Sequence, residues 1–353
     1  MADTRPTVWV SQPLIDAAIA PLRDRVQLLA TDTVTVWSPQ QIAERLASVD
    51  GAIITLNERI GAAQVADATQ LQVIANVGVG YNNLDVDALS AVGILASNTP
   101  DVLTETTADL GFALLMATAR RITESERWLR EGQWGQWSFQ TMLGADIHGS
   151  TLGILGMGRI GQGVARRGAL GFGMKVLYHN RSRLPAETEA ALGATYVDLD
   201  TLLAQSDHVV TVLPYTPASH HIIDAAALAR MKPSATLVNI ARGGIVDELA
   251  LADALAHGRL AAAGLDVYEG EPKVRPELLA LRNVVLTPHI GSASLGTRTA
   301  MVQLAVDNLL AGLGLAGEAA RMPSAINADA ALAARAVLGK KTGKRWGTSA
   351  RPA

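Results

Sequence analysis

The chain has 353 residues, of which 49% are apolar and 18% charged, and its formal net charge is −3. This length suggests two domains, and the charge balance gives no reason to expect a nucleic-acid partner. The chain has no cysteine, which excludes disulfides and thiolate chemistry, and we predict no metal site. The N-terminal MADTRPTVWV lacks the features of a signal peptide and no apolar run is long enough to span a bilayer, so we expect a soluble cytoplasmic protein with no membrane partner.

Short apolar segments rich in β-branched residues alternate with alanine- and leucine-rich helical stretches. In chain order the predicted strands are TVWV, GAIIT, LQVIANV and GILAS and, after a gap, TLGILG, KVLYH, HVVTVL, ATLVNI, AAGLDV and NVVLTP. Strands that alternate with helices predict parallel sheets that are covered on both faces, and therefore an α/β fold.

The gap between the two groups of strands marks the domain organisation. Residues 100–132 predict one long apolar helix, of the kind that bridges domains or packs against a partner subunit. Residues 296–313 predict a helix with no strand after it, which we expect to return to the first domain. We therefore predict a discontinuous substrate-binding domain (residues 1–100 and 291–325), a dinucleotide-binding domain (101–290) and a flexible C-terminal tail (326–353).

A glycine-rich turn follows the strand TLGILG and opens a helical stretch. Gly156, Gly158 and Gly161 have the spacing G-x-G-x-x-G, which favours a tight turn, close approach of the backbone to a pyrophosphate, and close packing of helix and strand. Amides at the start of the helix would then face the phosphates. The alternative is a plain tight turn, but the flanking strand and helix favour dinucleotide binding.

The next strand, KVLYH, ends where a carboxylate would hold the adenosine ribose of NADH. The chain instead continues with Arg181, Ser182 and Arg183, which would attract a 2′-phosphate through charge-assisted hydrogen bonds. This pattern predicts NADPH as the cofactor, with NADH possible but weaker. The alternative is that both arginines are solvated surface residues.

Three polar residues follow later strands of the second group. Arg242 lies in LVNIARGGIVDE, Glu271 in AAGLDVYEGEP and His289 in NVVLTPHIGSAS. An arginine fork can bind the carboxylate of a 2-oxo acid, a histidine can protonate its carbonyl oxygen, and a neighbouring glutamate favours the imidazolium form. Each residue alone has a structural explanation, but side chains at the carboxyl ends of parallel strands converge, and this favours a catalytic group.

These segments, with NVGVGYNNLDVDAL, LTETTADL, GILGMGRIGQGVARR and LPYTPASHHII, resemble the D-isomer-specific 2-hydroxyacid dehydrogenases over about residues 8–325. The resemblance is strongest to the branch of glyoxylate/hydroxypyruvate and 2-ketogluconate reductases, whose members usually prefer NADPH. It implies two Rossmann-like domains, the substrate domain being discontinuous and flavodoxin-like, with a cleft between them.

The resemblance also assigns roles to individual residues. It implies that Arg242 binds substrate, Glu271 tunes the histidine and His289 is the acid-base group. Substrate would also contact the backbone amides of Val79 and Gly80, and Ser292. The positions that match cofactor contacts are Arg159 and Ile160 beside the three glycines, then Thr107, Pro214, Ile240, Asp266 and Gly291.

Residues 131–149 form a segment that is rich in aromatic side chains. Trp134, Trp137 and Phe139 lie together in a chain that is only 4% aromatic. Such rings are typical interface anchors, and family members are usually dimers through this region, so we expect a homodimer in which one ring reaches the partner's active site. Packing within the same chain stays open as an alternative.

We predict NADPH-dependent reduction of glyoxylate, hydroxypyruvate or 2-ketogluconate to the D-2-hydroxy acid. One alternative is an NADH-linked relative, such as a 3-phosphoglycerate or phosphite dehydrogenase. The other is a non-catalytic dinucleotide sensor that resembles a corepressor, because such proteins can keep all three polar residues.

Overall fold

The structure is a computed structural model that describes residues 4–317 and 321–342. The described residues divide into two compact units: those up to 103 and those from 294 onward form the first, and residues 104–293 form the second. Each unit contains one parallel sheet, which confirms the predicted class of two α/β domains. The unit boundaries at 103 and 293 lie close to the predicted ones at 100 and 290.

The elements of the described residues are numbered along the chain. The strands are β1 (Thr7–Val10), β2 (Gln27–Ala30), β3 (Gly51–Ile54), β4 (Val73–Asn76), β5 (Leu95–Ser97), β6 (Thr151–Leu155), β7 (Lys175–His179), β8 (Ala194–Tyr196), β9 (His208–Thr211), β10 (Thr236–Asn239), β11 (Ala262–Leu265) and β12 (Val284–Leu286). The helices are α1 (Asp16–Ile19), α2 (Pro39–Ala47), α3 (Ala62–Val65), α4 (Val86–Ala91), α5 (Thr104–Ala119), α6 (Ile122–Arg130), α7 (Arg159–Arg166), α8 (Ala186–Leu192), α9 (Leu199–Gln205), α10 (Ala225–Arg230), α11 (Glu248–Ala256), α12 (Pro276–Leu279), α13 (Leu295–Gly312) and α14 (Ala328–Thr342).

The sheet of the first unit has the strand order β2-β1-β3-β4-β5, which is the flavodoxin-like arrangement. Strands β3, β4 and β5 are buried along their whole length, so their sequences are continuously apolar or small. Helix α13 packs against β3 and β4, which brings the second chain segment of this unit onto its sheet. Strand β2 was not predicted because QLLA has no β-branched residue and its last two residues are exposed at the sheet edge.

The C-terminal segment differs from the prediction of a flexible tail. Residues 328–342 form helix α14, which packs against α4 and β5 of the first unit. Asn327 accepts a hydrogen bond from the Ala96 amide at 2.8 Å, and the buried Arg335 donates to the Gly93 carbonyl at 2.7 Å. The prediction is wrong for residues 326–342. The alanine-rich composition does not show that two polar side chains of this segment bind the backbone around β5. Residues 343–353 lie outside the described residues.

The second unit has a seven-stranded parallel sheet in the order β12-β11-β10-β9-β6-β7-β8. All six strands predicted for this part of the chain are present, and the short edge strand β8 was missed. The predicted helix over residues 100–132 is two helices, α5 and α6, separated at Arg121. Arg121 has a left-handed φ of 54°, and the Ala145 amide donates a hydrogen bond to the Ala119 carbonyl at the end of α5. Over the described ranges, no helix combines the length and apolar character needed to cross a bilayer.

Candidate active site

The three glycines of the second unit sit where β6 passes into α7, and two of them have no room for a side chain. Gly156 has a φ of +103°, and a Cβ there would lie 2.6 Å from the Leu213 nitrogen. A Cβ at Gly161 would lie 2.2 Å from the Gly156 carbonyl oxygen. At Gly158, by contrast, a Cβ would meet no atom within 4 Å. The backbone at Gly158 is therefore open to a ligand, and the other two glycines fix the turn that exposes it.

The start of α7 fits a phosphate group. Its N-cap is Gly158, which has no side chain to accept a hydrogen bond from the first-turn amides. Those amides, at the positive end of the helix dipole, are suited to an anion. Arg159 is exposed and Ile160 half-buried at the first two positions of this helix.

Asn180, immediately after β7, ties this turn to the neighbouring strand. Its Oδ1 accepts a hydrogen bond from the Met157 amide at 2.6 Å, and the His179 carbonyl accepts one from the Gly156 amide at 3.0 Å. The sequence showed no role for Asn180. Its position, one residue beyond the strand end and level with the glycine turn, was the signal that could have indicated one.

The two predicted phosphate-binding arginines have different environments. Arg183 forms a two-point ion pair with Glu189, from Nε to Oε1 at 2.9 Å and from Nη2 to Oε2 at 2.7 Å. Arg181 and Ser182 are exposed, and among the described residues neither has a hydrogen-bond partner. The structure thus distinguishes the two arginines, because a carboxylate on α8 already binds the Arg183 guanidinium; their contact with a 2′-phosphate stays a prediction.

The three candidate catalytic side chains come together in the second unit. Glu271 Oε2 lies 2.8 Å from His289 Nδ1, and both side chains are about three-quarters buried. Arg242, after β10, interacts electrostatically with the same carboxylate. The Glu271 carboxylate therefore connects the imidazole and the guanidinium, as their positions after β10, β11 and β12 suggest.

The charges of this group depend on one another. Burial raises the pKa of Glu271, but the hydrogen bond from His289, the charge of His289, the Tyr268 amide and the charge of Arg242 together hold it below its usual range. Burial lowers the pKa of Arg242, and Glu271 opposes that shift. Among the described residues the only hydrogen bond of the Arg242 side chain runs from Nη1 to the Ala241 carbonyl at 2.6 Å. Its other nitrogens are available to a carboxylate ligand.

Asp266 holds the turn that carries His289. Its Oδ1 accepts from the Thr287 hydroxyl and the Ile290 amide, both at 2.7 Å, and its Oδ2 accepts from the Gly291 amide at 2.8 Å. The side chain is buried. Burial raises the pKa of this carboxyl group, and the three hydrogen bonds act in the opposite direction but do not cancel the increase. His289 itself has a left-handed φ of 52°, a conformation that Asp266 stabilises by fixing the residues on both sides. Asp266 is thus an anchor within the protein, and the cofactor contact that the resemblance implies stays a prediction.

The remaining predicted residues have three kinds of surroundings. Thr107 on α5 and Gly291 are neighbours, since a Cβ at Gly291 would lie 3.3 Å from Thr107 Cγ2. Ile240 is buried in the core, where its Cδ1 leaves no space for a Cβ at Gly111, so its side chain does not line an open surface. The other two, at the carboxyl edge, are Pro214, which is exposed, and Ser292, which is half-buried.

A second carboxylate network, missed in the sequence, supports the loop that carries Glu271. The buried Glu248 accepts a hydrogen bond from the Glu269 amide at 2.5 Å, and burial raises its pKa. The Glu269 carboxylate binds His221 Nε2 at 2.5 Å and Arg275 Nη2 at 3.0 Å. Glu248 lies in the IVDE segment of a helix start, where an exposed carboxylate is common, so nothing in its local sequence indicated burial.

The loop of residues 77–81 belongs to the first unit. The Asn98 side chain donates to the Val79 carbonyl at 2.8 Å, and the Asn76 side chain donates to the Gly80 carbonyl at 3.2 Å. The amides of the same two residues, Val79 and Gly80, have no hydrogen-bond acceptor among the described residues. Two adjacent unpaired amides on one loop suit a carboxylate.

Comparison with known proteins decides the family. The model of the D-isomer specific 2-hydroxyacid dehydrogenase NAD-binding domain matches residues 112–291. The glyoxylate reductase of Thermococcus onnurineus (strain NA1) is 44% identical over 311 residues, which are 87% of this chain and 92% of the relative. The chain belongs to the D-isomer specific 2-hydroxyacid dehydrogenase family.

Other members of this family extend the comparison. The glyoxylate/hydroxypyruvate reductase B of Escherichia fergusonii is 41% identical over 310 residues, 88% of this chain and 95% of the relative. The crystal structure of the NADPH-dependent glyoxylate/hydroxypyruvate reductase of Sinorhizobium meliloti, in complex with NADP and malonate, has a TM-score of 0.79. Its sequence is 33% identical, and the match covers 92% of this chain and 97% of that one.

Membership in the family confirms an NAD(P)-dependent oxidoreductase whose second unit binds the nicotinamide dinucleotide. The residues present fit that cofactor, because Gly158 offers open backbone beside an uncapped helix start. Within the described residues, no group of three or more histidine or acidic side chains is placed to hold a metal ion.

Proposed function

We propose that the chain reduces glyoxylate or hydroxypyruvate to the D-2-hydroxy acid with NADPH. The observation that carries the proposal is the hydrogen bond between His289 Nδ1 and Glu271 Oε2, and Arg242 interacts electrostatically with the same carboxylate. Relatives that carry the names of these activities, at 41–44% identity over most of the chain, support the choice of substrates. 2-Ketogluconate remains a third candidate from the sequence.

The arrangement suggests how the proton moves. Since Nδ1 of His289 is bound to a carboxylate, Nε2 carries the proton that can be given away. A bound reduced nicotinamide would supply the hydride to the carbonyl carbon. His289 Nε2 would protonate the carbonyl oxygen as that hydride arrives. The Glu271 carboxylate, bound to Nδ1, orients the ring for this transfer.

Arg242 would bind the substrate carboxylate, and the backbone amides of Val79 and Gly80 in the first unit stay predicted substrate contacts. Within the described part of the chain, the single hydrogen bond to the Ala241 carbonyl leaves the other nitrogens of the Arg242 fork free. Ser292 stays a further candidate for substrate contact. These roles follow from the donors that each residue offers to an anion.

The preference for NADPH rests on Arg181 and Ser182. Both are exposed immediately after β7, where a carboxylate would otherwise favour NADH. The Sinorhizobium meliloti relative, which is described as NADPH-dependent, supports this choice.

The test is turnover by the purified full chain. We expect loss of NADPH absorbance with glyoxylate and hydroxypyruvate, a higher kcat/KM for NADPH than for NADH, and a loss of about 10²–10⁴-fold in kcat for His289→Ala. No turnover with any 2-oxo acid would contradict the enzymatic proposal. Faster turnover with NADH would favour the NADH-linked alternative.

We also propose that the chain forms a homodimer through residues 131–149. Trp134, Trp137 and Phe139 are 54%, 65% and 85% exposed, and the rings of Trp137 and Phe139 pack edge to face at 4.6 Å. Exposed aromatic clusters of this kind mark interaction sites. Sedimentation should give a dimer for the wild type and a weaker one for Trp137→Ala; a monomeric wild type would contradict the proposal. The cytoplasmic location remains a prediction.

A further inference from the structure

The segment of residues 180–184, which we call the β7–α8 loop, is fixed at both ends. At its start, the Asn180 side chain binds the Met157 amide and the Asn180 carbonyl accepts from the Tyr196 hydroxyl at 3.3 Å. At its end, the Leu184 amide donates to the Tyr178 hydroxyl at 2.8 Å. Hydrogen bonds to neighbouring parts of the protein therefore hold both ends of this loop.

The end of the loop is held by a carboxylate on α8. Glu189 accepts from the Tyr178 hydroxyl at 2.7 Å and from both Nε and Nη2 of Arg183, and its side chain is only 9% exposed. Arg183 and Tyr178 together lower the pKa of Glu189 to about 2, so this carboxylate is ionised at any physiological pH. Arg183 is therefore bound to a nearly buried, permanently charged group.

Between these fixed ends lie Arg181 and Ser182. Both are exposed, and the described residues give neither of them a hydrogen-bond partner. The loop thus contains two kinds of polar residue: those that bind the protein itself, and those that are free to bind a ligand.

We propose that Arg183 and Glu189 are positioning residues which fix the β7–α8 loop, and that Arg181 with Ser182 supplies the contacts to the 2′-phosphate of the cofactor. This inference rests on the proposed preference for NADPH. It assigns different roles, phosphate contact and loop positioning, to two arginines that the sequence alone cannot distinguish. It also makes the preference depend on a glutamate that would not itself touch the phosphate.

The test is calorimetric binding of 2′,5′-ADP and 5′-AMP to the full chain, which reads the adenosine end without turnover. We expect the wild type to prefer 2′,5′-ADP and Arg181→Ala to lose about 10–100-fold in that preference, since charge-assisted hydrogen bonds are worth about 1.5–3 kcal/mol. Arg183→Ala and Glu189→Gln should each weaken the preference by a smaller and similar factor. The double variant should be no worse than either single one, because both changes break the same pair.

Two further variants separate positioning from direct contact. Arg183→Lys keeps the charge but loses the two-point fork, so it should behave like Arg183→Ala. Glu187→Gln removes a charge from the same helix without touching Arg183, and it should bind both nucleotides as the wild type does.

Each remaining outcome contradicts a different statement. If Glu189→Gln tightens 2′,5′-ADP binding, or Arg183→Lys retains the wild-type preference, Arg183 contacts the phosphate and the positioning role is wrong. If the wild type itself has no preference for 2′,5′-ADP, the NADPH proposal fails and this inference fails with it. A preference that survives Arg181→Ala but is lost in Arg183→Ala overturns only the inference.

Discussion

Replacing Asp266 with asparagine should displace His289 without touching it. The Asp266 carboxylate accepts from three donors, the Thr287 hydroxyl and the amides of Ile290 and Gly291, at 2.7–2.8 Å. An asparagine of the same shape offers one oxygen and one NH₂ group. In either orientation at least one backbone amide then faces another donor inside a buried site.

The size of the effect follows from these contacts. A hydrogen bond to a charged group contributes about 1.5–3 kcal/mol, and a buried donor without an acceptor costs about 1–3 kcal/mol. Asparagine carries no charge, so it avoids the desolvation cost that raises the pKa of Asp266. This difference offsets part of the lost stability. We therefore expect a net destabilisation of about 2 kcal/mol, or a decrease in Tm of about 4–8 °C for a unit of this size. Because misplacement by about 1 Å can reduce rates about 100-fold, kcat should fall about 10–100-fold.

The assay combines thermal unfolding with NADPH oxidation in the presence of glyoxylate. Thr287→Val is the matched control, because it removes the hydroxyl donor and leaves both amides bound to the carboxylate. It should cost only about 1 kcal/mol and have little effect on kcat. If Asp266→Asn unfolds within 1 °C of the wild type and keeps its kcat, Asp266 does not hold the His289 turn.

Three further predictions use the same structure. Glu271→Gln should lower the Tm at neutral pH. The difference from the wild type should shrink as the pH falls through the lowered pKa of Glu271, because a carboxylate with a depressed pKa stabilises the folded state only while it is ionised. A difference that stays constant across a Tm–pH series would contradict this. Gly161→Ala should abolish NADPH binding measured by fluorescence, since its Cβ would lie 2.2 Å from a backbone oxygen, whereas Gly171→Ala, with open space, should bind normally. Arg335→Met should increase proteolysis within α14, because it removes the hydrogen bonds to the carbonyls of Gly93 and Gln72; unchanged digestion would show that other contacts hold this helix.

The fold and the residues that come together after β10, β11 and β12 could be predicted because their signals are local. A buried parallel strand reads as a continuous apolar run, and ten of the strands were found in this way. The edge strands β2 and β8 were missed because an exposed, short strand has no such run. The glycine spacing and the residues that follow β10, β11 and β12 similarly mark the carboxyl edge of a sheet.

Long-range pairings carried no comparable signal. Arg335 is one arginine in an alanine-rich helix, and only the structure shows that it donates to carbonyls more than 200 positions earlier in the chain. The ion pair between Arg183 and Glu189 spans six residues, but sequence spacing does not say which of two arginines a carboxylate will bind. Such preferences depend on the packing of side chains in three dimensions, which periodicity does not encode.

Buried carboxylates explain how loops can hold the candidate catalytic and cofactor-binding residues in place. Asp266 binds amides of the His289 turn, Glu248 binds the amide of Glu269 in the loop that carries Glu271, and Glu189 binds the end of the β7–α8 loop. A charged acceptor that is removed from water is costly to leave without its donors, so each loop is fixed more strongly than neutral hydrogen bonds would fix it. These three carboxylates hold the loops that carry the candidate site residues. Their loss should therefore alter activity and cofactor choice as well as stability.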